Sequence, residues 1–167
     1  MGVGNQEEEE EIMATPKYEY LTNDQMNGYY ADVCRGMAGA QFKPDVIVAL
    51  SRGGLDFGVK LSNWFDDTEL VPLVWQTRDG STKDIDTLHD TLNRYKGGQI
   101  LIVDDMLDSG ETLLQVQDTI NKFVNDIRID YIIEYAVAIE NTEAGFDVTW
   151  SARQIQRSEH PQWFVFP

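Results

Sequence analysis

The stretch VDDMLDSGET, Val103 to Thr112, gathers three aspartates, two hydroxyl side chains and a glycine behind the apolar run Ile100 to Val103. If that run is a buried strand, Asp104 and Asp105 emerge at its end and Asp108 lies in the following turn. Adjacent carboxylates can accept hydrogen bonds from vicinal hydroxyls. They can also orient a hydrated magnesium ion, with substrate phosphates and water completing its shell. Ser109 and Thr112 offer hydroxyl donors, and Gly110 permits an exposed backbone turn. Successive amides ahead of a helix near Leu113 can surround a terminal phosphate without a basic side chain. A plainer arrangement fits the same letters: Asp104 and Asp105 at a sheet edge, and Asp108 capping a helix.

A second turn, SRGG at Ser51 to Gly54, follows the β-branched run DVIVAL. Gly53 and Gly54 allow close backbone approach, Arg52 can assist charge neutralisation, and the local amides can receive diphosphate oxygens. An ordinary strand-to-helix turn with a solvent arginine is the alternative. At the C-terminus, Trp163, Phe164 and Phe166 supply rings that can stack on a nucleobase, with backbone groups reading its polar edge, or that can pack in a core or dimer contact.

These residues need a scaffold. TNDQMNGYYADVCRGM, residues 22–37, reads as a helix, and LDFGVKLSNWF as the helix returning from SRGG. LVPLVW at 70–75, ILIV at 100–103 and YIIEYAVAI at 131–139 read as strands, and ETLLQVQDTINKF as a helix. Gln76 to Asp90 has the composition of a mobile surface loop, and HPQWFVFP can form a strand or an aromatic flap. Strands separated by helix-length segments predict an α/β fold with a mainly parallel central sheet flanked by helices. Ligands in such folds collect beyond the carboxyl ends of the strands.

With both turns considered, VDDMLDSGET closely resembles the phosphoribosyl-diphosphate signature of type I phosphoribosyltransferases, and QWFVFP resembles the terminal segment of short xanthine, guanine and hypoxanthine phosphoribosyltransferases. The resemblance implies that fold, with a small hood. It implies that Asp104 and Asp105 contact the ribose 2- and 3-hydroxyls and that Asp108 lies beside the acceptor base as the catalytic group. Ser109, Gly110, Glu111 and Thr112 would surround the 5-phosphate, and Ser51, Arg52, Gly53 and Gly54 would form the diphosphate loop around a cis Ser51–Arg52 peptide. Gln76 to Asp90 resembles a hood loop that covers the diphosphate, with Arg78 as its contact. Trp163 would stack on a purine and Phe164 would add backbone contacts. Glu111 departs from the smaller or basic residue of relatives, so its charge must point away or be offset. Many purine-using relatives carry a lysine just after the strand; here Val137 or Ala138 stands in that neighbourhood, which puts the acceptor's identity in question.

The implied reaction transfers ribose 5-phosphate from 5-phospho-α-D-ribose 1-diphosphate to a 6-oxopurine (hypoxanthine, guanine or xanthine), with Mg2+ at Asp104 and Asp105. Transfer to another nucleobase is one alternative, and a non-catalytic regulatory protein that binds the same donor is the other. Composition agrees with a soluble cytoplasmic protein. The 167 residues suit a single domain over 16–167 behind a flexible acidic tail, 1–15, with five consecutive glutamates at Glu7 to Glu11. A net charge of −16 disfavours a nucleic-acid partner, no apolar run is long enough to enter a membrane, and Cys34 stands alone. His89 and His160 are read as ordinary surface or interface residues. The resemblance adds a homo-oligomer, a dimer or tetramer, to the expected partners.

Overall fold

The computed structural model describes residues 17–77 and 82–167. The expected acidic tail and Arg78 lie outside the described residues. In chain order the elements are β1 (Tyr18–Tyr20), α1 (Asn23–Gly39), β2 (Val46–Ser51), α2 (Gly54–Trp64), β3 (Glu69–Val74), α3 (Ile85–Arg94), β4 (Gln99–Leu107), α4 (Glu111–Ile127), β5 (Ile132–Asn141), β6 (Trp150–Ile155) and β7 (Trp163–Val165). Five strands form a wholly parallel sheet in the order β3-β2-β4-β5-β6, while β1 and β7 pair, also in parallel, as a separate two-stranded sheet. Pro72 sits on β3, an edge strand, where its missing N–H is tolerated.

Alternation along the strands divides the core into two layers. Ile47, Ala49, Leu101, Val103, Ala136 and Ala138 face α1 and α2, packing with Met37, Phe57 and Leu61. Val46, Val48, Leu50, Ile100, Ile102 and Val137 face the other way, against Leu88 and Leu92 of α3 and Val116 and Ile120 of α4. With both faces covered, the strands must be apolar throughout, which is why VIVAL and ILIV read as continuous runs. Helix α1 opens with a capping box, in which the Gln25 N–H donates to the Thr22 hydroxyl and the Thr22 N–H donates to the Gln25 side chain. Cys34 lies inside this helix, and burial pushes its thiol up to about 11, which leaves it a packing residue. His89 stacks on Phe123 across α3 and α4, with ring centroids 4.5 Å apart.

Four elements depart from the sequence reading. Helix α3 takes the second part of the segment expected to be a loop. Its apolar stripe is only Ile85, Leu88 and Leu92, diluted by polar neighbours, and Asp84 caps it by accepting from the Thr87 N–H. Strands β6 and β1 lie outside the expected strands, because β6 carries polar residues at half its positions and β1 is only three residues long. Strand β4 does not stop at Val103. It continues through both aspartates to Leu107, with Asp104 opposite Val137 and Met106 opposite Ile139. Among the described residues no helix is long and apolar enough to cross a membrane.

Helix α2 approaches the sheet most closely at its first residue. A Cβ on Gly54 would stand 2.5 Å from the Val103 carbonyl oxygen and 3.0 Å from the Asp104 Cα, both backbone atoms that cannot swing aside. Gly54→Ala is therefore expected to lower stability by about 1–3 kcal/mol, the usual cost of overpacking. Urea unfolding checks this. An unchanged or raised midpoint at constant slope would show that the helix can step back at no cost.

Candidate functional site

The first four residues of the β2–β4 register, Val46↔Ile100 to Ala49↔Val103, bring the turns after both strands to the same edge of the sheet. There Ser51, Arg52 and Gly53 share one cleft of about 810 Å³ with the whole stretch from Asp104 to Leu113. Trp75, Gln76 and Thr77 form part of its wall, and Arg157, Trp163, Phe164 and Phe166 line its far end. The two sequence motifs and the terminal aromatics thus meet in one cavity.

Each side chain has a local reason for its position. The Ser51–Arg52 peptide is cis, and the next residue, Gly53, presents bare backbone to the acidic strand. A Cβ there would run into the Asp105 carboxylate, so the glycine makes room for the acid. Asp104 turns back on its own strand, its Oδ1 accepting from the Asp105 N–H at 2.9 Å. Burial holds the Asp104 carboxyl well above the usual carboxylate range, and the neighbouring Asp105 charge adds to the effect. Burial raises Asp105 as well. Asp105 faces Tyr30, whose hydroxyl is itself raised first by burial and then by Asp56 and Asp105.

After Leu107 the chain turns sharply. Gly110 adopts φ +85°, and a Cβ on it would also meet Phe146 at 3.0 Å, so backbone and space both require glycine. Helix α4 starts immediately behind it, aiming its first N–H groups at the cleft. The Glu111 N–H lies 3.4 Å from the Ser109 hydroxyl, and the Glu111 carboxylate accepts from the Gln115 amide at 3.1 Å, which offsets its charge in part. Thr112 brings its hydroxyl 3.5 Å from that of Thr77, so the wall segment touches the turn just before the expected contact Arg78.

Two expected contacts stand elsewhere. Gly54 is inside the first turn of α2 and serves helix docking. Val137 is fully buried in the layer beneath α3 and α4, because β5 runs on to Asn141 and the strand end was read too early. Neither Val137 nor Ala138 has an exposed side chain.

Two residues that the sequence did not single out organise the site. Asn141, buried at the end of β5, donates to the Asp108 carbonyl at 2.8 Å and accepts from the N–H groups of Glu143 and Arg157, each at 3.2 Å. Arg157 donates from Nε to Asp108 Oδ1 at 2.6 Å and from one terminal nitrogen to the carbonyls of His160 and Gln162, at 3.2 and 2.5 Å. His160 enters this network through its backbone, and its ring does not line the cleft. Phe164 is buried beneath two guanidinium groups, those of Arg153 and Arg157, 5.2 and 5.3 Å from its ring centroid.

A family model described as a phosphoribosyl transferase domain matches residues 19–166. No curated protein matches the sequence. Solved structures share the fold at low identity. A purine phosphoribosyltransferase from Pyrococcus horikoshii is 22% identical with a TM-score of 0.68, covering 90% of this chain and 93% of its own. A xanthine-guanine-hypoxanthine phosphoribosyltransferase from Helicobacter pylori is 18% identical with a TM-score of 0.70, covering 89% and 91%. A Neisseria gonorrhoeae protein with bound ppGpp is 15% identical with a TM-score of 0.67, covering 92% and 89%.

The buried aspartates make a prediction about the unliganded protein. Their folded-state pKa values lie above the unfolded ones, so their contribution favours the fold at acid pH and is lost as pH rises through the folded values. Asp104→Asn keeps the shape without the charge. It is expected to raise the thermal midpoint in ligand-free buffer, with a gain that grows from about pH 4 upward. A variant less stable than the parent at neutral pH would show that the carboxylate is held by favourable contacts.

Proposed function

The chain belongs to the phosphoribosyltransferase domain family, and from that premise we propose that it transfers ribose 5-phosphate from 5-phospho-α-D-ribose 1-diphosphate to a 6-oxopurine, releasing diphosphate. The observation that carries this reading is the convergence of Ser51–Gly53, Asp104–Thr112 and the Trp163–Phe164 pair on one cleft. Its order matches the order of groups in the reaction: diphosphate at the first turn, sugar and phosphate at the second, a flat heterocycle at the aromatic end. The purine assignment is supported by the fold shared with the Pyrococcus and Helicobacter enzymes.

In this reading the Gly110–Leu113 amides and the Ser109 and Thr112 hydroxyls bind the 5-phosphate at the start of α4. Asp104 and Asp105 accept hydrogen bonds from the ribose hydroxyls, whose donation relieves the cost of burying the two acids. Arg52 and the adjoining amides hold the diphosphate. As the C1–oxygen bond to diphosphate breaks, positive charge grows on C1 and the acceptor nitrogen attacks from the opposite face. Asp108 orients that nitrogen and accepts its hydrogen.

The donor set also suits Mg2+. Among the described residues no group of three or more His, Cys, Asp or Glu could cage an ion, whereas Asp104 and Asp105 are two adjacent oxygen ligands of the kind magnesium supplements with substrate oxygens and water. Four carboxylates and two guanidiniums line the described cleft, so an anionic donor gains from an accompanying cation. Such an ion, when bound, offsets diphosphate charge and assists its departure.

A panel of hypoxanthine, guanine, xanthine, adenine, uracil and orotate with the phosphoribosyl donor and Mg2+ tests the assignment. Nucleotide and diphosphate are expected from a 6-oxopurine. Asp108→Asn is expected to lower turnover by about 10²–10⁴ with donor affinity retained. Saturable donor binding with no product from any base would favour a regulatory protein.

A further inference from the structure

Arg157 links several parts of the far end of the cleft. Its Nε bonds Asp108 Oδ1 at 2.6 Å, one terminal nitrogen spans the carbonyls of His160 and Gln162, and the other lies 3.7 Å from the Met106 sulfur. Its guanidinium carbon is 5.3 Å from the Phe164 ring centroid. The Arg157 side chain is only 22% exposed while that of Asp108 is 42% exposed, so the cation is sheltered and the acid remains open to the cleft. Asp108 Oδ2 has no hydrogen bond among the described residues.

We propose that Arg157 is the positioning residue of the acceptor end: one guanidinium ties the Asp108 carboxylate to the backbone just before Trp163, fixing carboxylate and aromatic wall as a unit. The inference rests on the reading of the cleft as a phosphoribosyl-transfer site, and it assigns a role to a residue outside both sequence motifs. Asp108 sits on a turn and Trp163 on a short strand of the small second sheet, so no strand pairing of the main sheet sets their separation. Two links do so. Asn141 holds the Asp108 backbone and the Arg157 backbone. Arg157 then carries the connection out to the carboxylate and to the Gln162 carbonyl. Phe164 is held independently from behind, because Arg153, which also lies over its ring, is anchored by Glu19 of β1 at 2.5 and 3.1 Å. Removing Arg157 therefore frees the carboxylate and the Trp163 backbone relative to each other without unseating the strand.

A planar fork suits this task and an ammonium does not. Three acceptors in different directions, with an aromatic face against the plane, match five fixed N–H donors. Among the described residues, Arg157 has no hydrogen bond or ion pair to the Ser51–Gly53 turn or to Asp104 and Asp105, so its loss acts on the acceptor end.

The test uses Arg157→Met and Arg157→Lys in the full chain, with thermal unfolding as the folding control. For Arg157→Met, acceptor kcat/KM is expected to fall on the order of 100-fold, with kcat reduced and acceptor KM raised, the penalty of a misplaced reacting pair. Donor KM should stay within about twofold, and Arg157→Lys should recover only part of the loss. In an Asp108→Asn background the Arg157→Met penalty on kcat should shrink to under about threefold, since partners that act as one are not additive. Calorimetry supplies a readout without turnover: Arg157→Met should weaken a purine nucleoside 5-monophosphate while leaving ribose 5-phosphate unchanged. Equal losses for donor and acceptor, an undiminished penalty beside Asp108→Asn, or equal weakening of both calorimetric ligands would overturn the proposal. If the unmodified protein makes no nucleotide from any base, the functional reading falls, and the calorimetric pair still decides the role of Arg157.

Discussion

The site depends on the contact between the bare backbone of Gly53 and the carboxylate of Asp105. Parallel pairing of β2 with β4 delivers two turns to one edge of the sheet, but pairing alone leaves side chains between them. Omitting a Cβ at Gly53, and another at Gly54 where α2 meets the Val103 carbonyl, lets the second turn close onto the first. The cleft then has a floor of main chain and carboxylate, with helix starts and cis backbone at its rim. A binding surface built this way reads a ligand through amides and acids, and needs few basic side chains.

That economy has a thermodynamic counterpart. Two adjacent acids at the floor of the sheet are raised by burial, and Asp104 further by the charge of Asp105, an arrangement that costs stability in the empty protein. The rest of the molecule supplies the margin. Both faces of the sheet are sealed by apolar layers from four helices, and the strands beneath the acids are fully buried. At the far end the acid is treated differently. Asp108 is paired with a guanidinium and kept open to solvent, so it avoids the burial that affects Asp104 and Asp105.

The sequence disclosed the parts of this design that are local. VIVAL followed by SRGG, and ILIV followed by DDMLDSGET, are strand and turn within a dozen letters, so the two loops, the helices behind them and the parallel sheet were all legible. Phe164 and Trp163 were legible as aromatics at an end, and the structure brings them to the cleft. Strand ends were less so: β4 passes through polar letters because Asp104 and Met106 gain ladder partners on β5, and β5 outruns its apolar stretch to reach Asn141. That shift of a few residues leaves Val137 buried in the core and brings Asn141 against the Asp108 backbone. Helix α3 was hidden by a short apolar stripe, and β6 by the polar residues at half its positions. Arg157 had no local signal at all, for its meaning lies in a carboxylate 49 residues earlier in the chain.

Charge explains why such long-range pairs matter here. With a net charge of −16, the chain as a whole repels anions, and acids outnumber bases within the described cleft. In the proposed function, attraction for a phosphorylated ligand comes from short-range devices: amides at the start of α4, the Ser51–Gly53 turn, Arg52, and cations that travel with the ligand. Each acts over a few ångströms and only in the right geometry. Under those conditions the placement of each acid decides whether it helps or hinders. Asp104 accepts from the Asp105 N–H, the Asp105 carboxylate lies against the bare backbone of Gly53, Glu111 is drawn toward Gln115, and Asp108 is held by Arg157. An acidic protein can present a polyanion site because every carboxylate in it has been given a partner or a direction. The partners come from helix, strand and terminus alike, so the whole fold takes part in keeping the cleft open to its ligand.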